Sequence, residues 1–226
     1  NGTSFTIHNV QPDDNGTYRC KVSNDYGWNT SLNALLEVSL PATLSELTPG
    51  LVAYYPFNGN ANDESGNEHN GTVHGATPAV DRFGDANRTY SFDGNDKIRV
   101  APADDFNFPA DQSWSISSWA NAVDVSHNGW ILSLRKSSNQ TAFYQYGFKN
   151  TRLITESDAL GHSTSTGPVE LTGNGQWRHV TIIFNRDIGK IVRYIDGVFH
   201  DQITMNNPNG TFAGPDELLI GTDRLS

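Results

Sequence analysis

Apolar and polar positions alternate with a period of two in short runs along most of this chain. In WSISSWANAV, Trp114, Ile116, Ser118 and Ala120 fall on one side and Ser115, Ser117 and Trp119 on the other, as they do on a pleated strand. The run 176–184 behaves alike, turning Val180, Ile182 and Phe184 inward and Thr181 and Ile183 to the opposite face. Further strands are predicted at Asn70–Gly75, Thr89–Asp93, Lys97–Val100, Trp130–Leu134, Ala142–Phe148, Arg152–Thr155, Ile191–Ile195, Val198–Ile203 and Leu218–Gly221, with a hairpin turn at Asp196-Gly197. Leu51–Phe57 also reads as a strand, and Pro56 puts it at an edge or ends it, because proline brings no N–H to a ladder. No window carries a helical repeat. About a dozen short strands between Gly- and Asn-rich turns predict an all-β, antiparallel sandwich.

The stretch SLPATLSELTPG breaks this pattern with two prolines among small polar residues. It divides the chain into a first segment at 1–40, a linker at 41–50 and a large domain at 51–226. In the first segment Phe5 and Ile7 alternate with Thr6 and His8, and Arg19, Lys21 and Ser23 with Cys20, Val22 and Asn24. NDYGWN supplies a turn, and Ser31–Leu40 a closing strand. The chain opens on Asn1 without an initiator methionine, so it is expected to be a piece of a longer protein.

Charge narrows the function classes. The 226 residues carry a formal net charge of -10 and no basic cluster, which argues against nucleic acid as a partner. No apolar run approaches the ~18 residues of a membrane span. Sequons at Asn1, Asn15, Asn29, Asn70, Asn87, Asn139 and Asn209 suit a secreted surface, although an Asn- and Thr-rich chain also generates them by chance.

Candidate chemistry is sparse. A sandwich glucanase needs a strand with three carboxylates, whereas the nearest approach, Glu156-Ser157-Asp158, has no third. Neither the spacing of the histidines nor the single cysteine makes a zinc site. His179, two residues after Trp177 on one strand face, reads as a hydrogen-bonded structural histidine. Asp63, Ser65 and Asn67 alternate as in an EF-hand, but Glu68 stands where the loop glycine belongs and strands flank the loop. The D-x-S-G at Asp63 to Gly66 is expected instead to be a turn held by side-chain to backbone hydrogen bonds. Trp119, Trp130, Tyr144 and Tyr146 are the candidate ligand-binding rings, since sugars stack on aromatic faces. The competing assignment for each ring is the core.

Two resemblances organise these observations. Asp14, Gly16, Tyr18 and Cys20 form D-x-G-x-Y-x-C, which resembles the F strand of immunoglobulin-like domains. It implies that Tyr18 makes a tyrosine corner, that 1–40 are the C-terminal strands of a truncated immunoglobulin-like domain, and that Cys20 bridges to a cysteine outside this chain. The alternative is a lone cysteine packed as a small apolar residue. Beyond the linker, YYPFNGNANDESGNEHNGTVHGA, YSFDGNDKIRV, WSISSWANAV, QWRHVTIIFN, VRYIDGVFHD and LLIGTD resemble, in order, the blocks of laminin-G-like, concanavalin A-like jelly-roll domains. The family closes with one more strand, so here a sheet edge is expected to stay open.

The second resemblance implies a jelly-roll sandwich and calcium at one rim. Its ligands would be Asp93, Asn95 and Asp96 from the FDGNDKI turn and Asp223 from IGTDR, against the plainer reading that turns favour Asn and Asp. Together these readings lead to the expectation of a non-catalytic binding or adhesion module of a secreted or cell-surface protein, recognising carbohydrate or an extracellular protein. The alternative is an accessory carbohydrate-binding module of a carbohydrate-active enzyme whose catalytic domain lies elsewhere.

Overall fold

A computed structural model describes residues 14–37, 49–123, 129–135, 144–149, 152–157, 160, 162–165, 175–211 and 217–222. The expected strand at Phe5 to His8, most of the linker at 41–50, and Asp223 lie outside the described residues. The chain divides into two compact units, Asn1–Leu51 and Val52–Ser226.

In the first unit β1 (Gly16–Tyr18) pairs antiparallel with β4 (Ala34–Leu36), and β2 (Lys21–Asn24) with β3 (Gly27–Thr30). The β2–β3 turn is closed by Asn24, whose Oδ1 accepts the Tyr26 N–H at 3.0 Å. The Tyr18 hydroxyl donates to the Asp14 carbonyl at 2.7 Å, the bond back to the backbone that defines a tyrosine corner. Cys20 is exposed and in no disulfide; the chain holds no second cysteine.

The second unit holds β5 (Gly71–His74), β6 (Thr77–Ala79), β7 (Thr89–Ser91), β8 (Lys97–Val100), β9 (Trp114–Asn121), β10 (Gly129–Arg135), β11 (Tyr144–Lys149), β12 (Arg152–Ser157), β13 (His162–Ser165), β14 (Trp177–Asn185), β15 (Lys190–Ile195), β16 (Val198–Thr204) and β17 (Glu217–Ile220). Seven strands form one sheet in the order β13-β12-β11-β10-β17-β8-β5, four form another in the order β16-β15-β14-β9, and β6 and β7 make a small ribbon. Among the described residues the strand pairings are antiparallel. The fold is therefore an all-β sandwich of the jelly-roll kind.

Strand alternation fills the space between the sheets. Val180, Ile182 and Phe184 are buried, while Thr181 and Ile183 lie on the other face. Trp114 stacks on Phe184 with centroids 3.8 Å apart and on Phe108 at 4.3 Å, and Tyr144 lies 4.4 Å away. Arg186, buried, donates to the carbonyls of Gln112 at 3.0 Å and Gly210 at 2.8 Å and so ties two loops to the end of β14.

Leu51–Phe57 departs from the expectation, because it belongs to no strand or ladder. Its backbone groups are taken by the 58–70 loop. Asp63 Oδ1 accepts the Tyr54 N–H at 2.8 Å, Tyr54 O accepts the Glu64 N–H at 2.8 Å, and Val52 O accepts from Asn67 Nδ2 at 2.9 Å. Asp63 also accepts from Ser65 N, Ser65 Oγ and His69 N. The D-x-S-G turn is thus held by side chain to backbone bonds. Burial alone would raise the Asp63 carboxyl, but the amides of Tyr54, Ser65 and His69 and the Ser65 hydroxyl outweigh it and hold the group below its ordinary value.

Candidate binding face on the four-stranded sheet

The outward face of the four-stranded sheet carries side chains that a solvated sheet face does not need. On β9 the positions alternating with the buried set are exposed, among them Ser117 and Trp119, the latter with 44% of its surface accessible. Register places His179 of β14 opposite Trp119 and Thr181 opposite Ser117. The Trp119 and His179 rings are 5.0 Å apart, and His179 Nε2 lies 2.8 Å from Ser117 Oγ. Across β14, Thr181 faces Tyr194 of β15, whose ring meets Phe199 of β16 edge-on at 6.0 Å.

His179 is fixed from the backbone side by the β15–β16 turn. Asp196 and Gly197 both take positive φ, 52° and 76°, as a two-residue hairpin requires. This turn lets the Asp196 N–H reach the His179 carbonyl at 2.8 Å and Asp196 Oδ1 accept the His179 N–H at 2.9 Å. Asp196 Oδ2 takes Arg178 Nη1 at 2.6 Å. Burial opposes ionisation of Asp196, yet these donors hold its carboxyl below the ordinary value.

A loop at 81–88 completes the face. Asp81 Oδ1 accepts the N–H groups of Phe83 at 2.8 Å and Asp85 at 3.0 Å, and Gly84 takes φ of 94°. The loop thereby sets Arg82 between two rings, its Cζ 4.1 Å from the Phe83 centroid and 4.4 Å from that of Trp119. Phe83 is 73% exposed. Phe83, Arg82, Trp119 and His179 make a column of flat groups on an otherwise hydroxyl-bearing sheet.

Of the four rings expected to bind ligand, only Trp119 lies on this face. Trp130 is half-buried on β10 of the other sheet, where Gly147 leaves no room for a β-carbon against the Gly129–Trp130 backbone. Tyr144 and Tyr146 are core residues, each 2% exposed, because with Phe148 they occupy the inward face of β11. The Tyr146 hydroxyl donates to Ser118 Oγ at 2.7 Å, and burial raises both phenols. Arg82 and Phe83 escaped the sequence reading; an aromatic beside an arginine in a polar D-x-x-G loop was the available signal.

The calcium donors divide. Asp96 Oδ2 accepts the Asp93 N–H at 3.1 Å and Asp93 Oδ1 the Asn95 N–H at 3.2 Å, so both acids serve the turn. Phe92 packs against Gly221, which brings the two turns to one rim. Among the described residues no group of three or more His, Cys, Asp or Glu is placed to hold a metal.

An antiparallel jelly-roll sandwich with an exposed aromatic and arginine column is the class of molecule so defined. The chain belongs to the concanavalin A-like lectin/glucanases superfamily, whose laminin G family model matches residues 92–226, more than half of its length. A model of the immunoglobulin I-set domain matches residues 1–38. A comparison with curated proteins finds no match.

Among solved structures the fold is similar to that of botulinum neurotoxin type C, whose cell entry is described as dependent upon interaction with two ganglioside molecules. The TM-score is 0.57 at 15% identity, over 81% of this chain and 45% of that one. The binding domain of botulinum neurotoxin DC, solved in complex with rat synaptotagmin II, gives 0.54 at 18% identity over 75% and 42%. That of Paraclostridial Mosquitocidal Protein 1 gives 0.52 at 17% over 72% and 42%. The chain spans less than half the length of these structures.

Proposed function

We propose that this chain is a non-catalytic recognition module of a secreted or cell-surface protein, and that the outward face of the four-stranded sheet is where it binds carbohydrate or an extracellular protein. One observation carries the reading: Phe83, Arg82 and Trp119 are exposed beside a half-buried His179, and exposed aromatic patches mark contact surfaces. The similar toxin structures support it, since their descriptions name gangliosides and synaptotagmin as ligands of those proteins. Calcium at the rim of Asp93, Asn95, Asp96 and Asp223 is a further part of the proposal, as is a bridge from Cys20 to a cysteine of a longer parent protein.

A glycan array and a panel of extracellular proteins test the reading. Whatever binds is expected to lose at least tenfold in affinity to Trp119→Ala, with a thermal melt of the variant confirming that it is folded. Ligands that bind Trp119→Ala as tightly as wild type would place the site elsewhere.

A further inference from the structure

Arg82 is the residue of this face that sets what it accepts; the inference rests on the binding face just proposed. The Arg82 Cζ lies over the rings of both Phe83 and Trp119, 4.1 and 4.4 Å from their centroids. Among the described residues Arg82 makes no hydrogen bond or ion pair. Asp81, the acid next to it in sequence, spends Oδ1 on the amides of Phe83 and Asp85 and feels the Arg82 charge without pairing with it. By contrast Arg178, Arg193 and Arg99 are all paired, with Asp196, Asp201 and Glu217. A guanidinium held against two rings has already surrendered part of its rotamer freedom, and its planar fork matches a carboxylate bidentately.

The same clamp argues against a stacked sugar. A pyranose needs an open ring face, and on Trp119 the Arg82 guanidinium covers one while the His179 ring packs at 5.0 Å. Apolar surface is exposed as well as hydroxyls: Phe83 of the loop at 73%, and Val198 at 69% and Phe199 at 55% on β16. Trp, Phe, Tyr and Arg are the residues enriched in protein interfaces.

The geometry points to an acidic segment of a protein partner as the ligand. An Asp or Glu carboxylate accepts two N–H bonds from the edge of Arg82 while its apolar neighbours cover Phe83 and Trp119. Charge makes the match selective. The chain carries a net charge of -10, and Asp81, Asp85 and Asp196 flank the column, so an acidic segment is attracted only in the register that meets Arg82.

A random 12-residue peptide library displayed on phage, panned against the whole chain, tests this. Selected peptides are expected to be enriched in Asp or Glu beside aromatic or aliphatic residues. Synthetic copies should bind Arg82→Gln roughly 10- to 100-fold more weakly. Arg82→Lys should be nearly as weak, because an ammonium keeps the charge and loses the planar fork. Neutralising the acid in the peptide should cost as much in wild type and nothing further in Arg82→Gln. Peptides without acidic preference, peptides that bind Arg82→Gln as well as wild type, or a blank selection would overturn the inference. An acidic polysaccharide such as hyaluronate that binds through Arg82 when no peptide does would overturn the protein partner and leave the binding face standing. Undiminished peptide binding by Trp119→Ala would overturn the face itself.

Discussion

The Arg193 guanidinium joins the two sheets of the sandwich, its Nη1 donating to the Leu153 carbonyl of β12 at 2.9 Å. Its Nε donates to Asp201 Oδ1 at 2.7 Å and its Nη2 engages Asp201 Oδ2, so a fully buried cation is matched bidentately by a neighbour on β16. Removing one partner of such a pair strands a charge and typically costs about 3 to 5 kcal/mol. Asp201→Ala is therefore expected to lower the unfolding free energy read from urea denaturation by that much, and the double change Arg193→Met with Asp201→Leu by distinctly less. Equal losses would mean that the pairing matters less than the packing around it.

Phe184 tests the core. It is 1% exposed and stacked on Trp114. Truncation of a buried phenylalanine costs about 3 to 5 kcal/mol, so Phe184→Ala should unfold at markedly lower denaturant, followed by tryptophan fluorescence. An unchanged midpoint would contradict the burial.

Asp63 makes stability depend on acid. Its folded pKa lies below the ordinary value of 3.8, so between the two the unfolded chain binds the extra proton. The stability it contributes is complete above about pH 4 and is lost as pH falls through the folded pKa. Asp63→Ala, which strands the amides of Tyr54, Ser65 and His69, should cost about 1 to 3 kcal/mol at pH 7. The gap between variant and wild type should narrow as pH falls through the folded pKa. A gap that stays constant would show that the carboxylate charge contributes nothing.

The calcium proposal separates two roles of the same acids. Melts in millimolar calcium and in chelator are expected to differ, by the equivalent of ~2.7 kcal/mol at a hundredfold excess over Kd, and Asp96→Asn should erase the difference. Superimposed melts would return Asp93 and Asp96 to the turn, where each already accepts a backbone N–H.

Much of this molecule was legible because strand alternation is local. Trp114 and Phe184 declare their inward faces by their neighbours two residues away, and Tyr18 its corner by the spacing to Asp14. Period two says which residues share a face, and not whether that face meets a core or a ligand. Tyr144 and Tyr146 share theirs with Phe148, with Gln145 and Gly147 on the other side, and the pair that read as candidate ligand rings proves to be core because the second sheet covers it. Leu51–Phe57 has the composition of a strand, but a strand exists only where a neighbour takes its backbone groups, and here Asp63, Glu64 and Asn67 take them first.

The sequence by itself determined the class of fold, the turn chemistry of Asp63 and Asp196, and the family, all of which depend on residue type at short spacing. Only the tertiary structure decided which side chains from distant segments meet. Arg82 and Trp119 are 37 positions apart by their numbers, and no periodicity relates a loop before β7 to the outward face of β9. Their meeting is a product of sheet order and of the Asp81 turn, and a cation between two rings acquires its direction only when all three are held together.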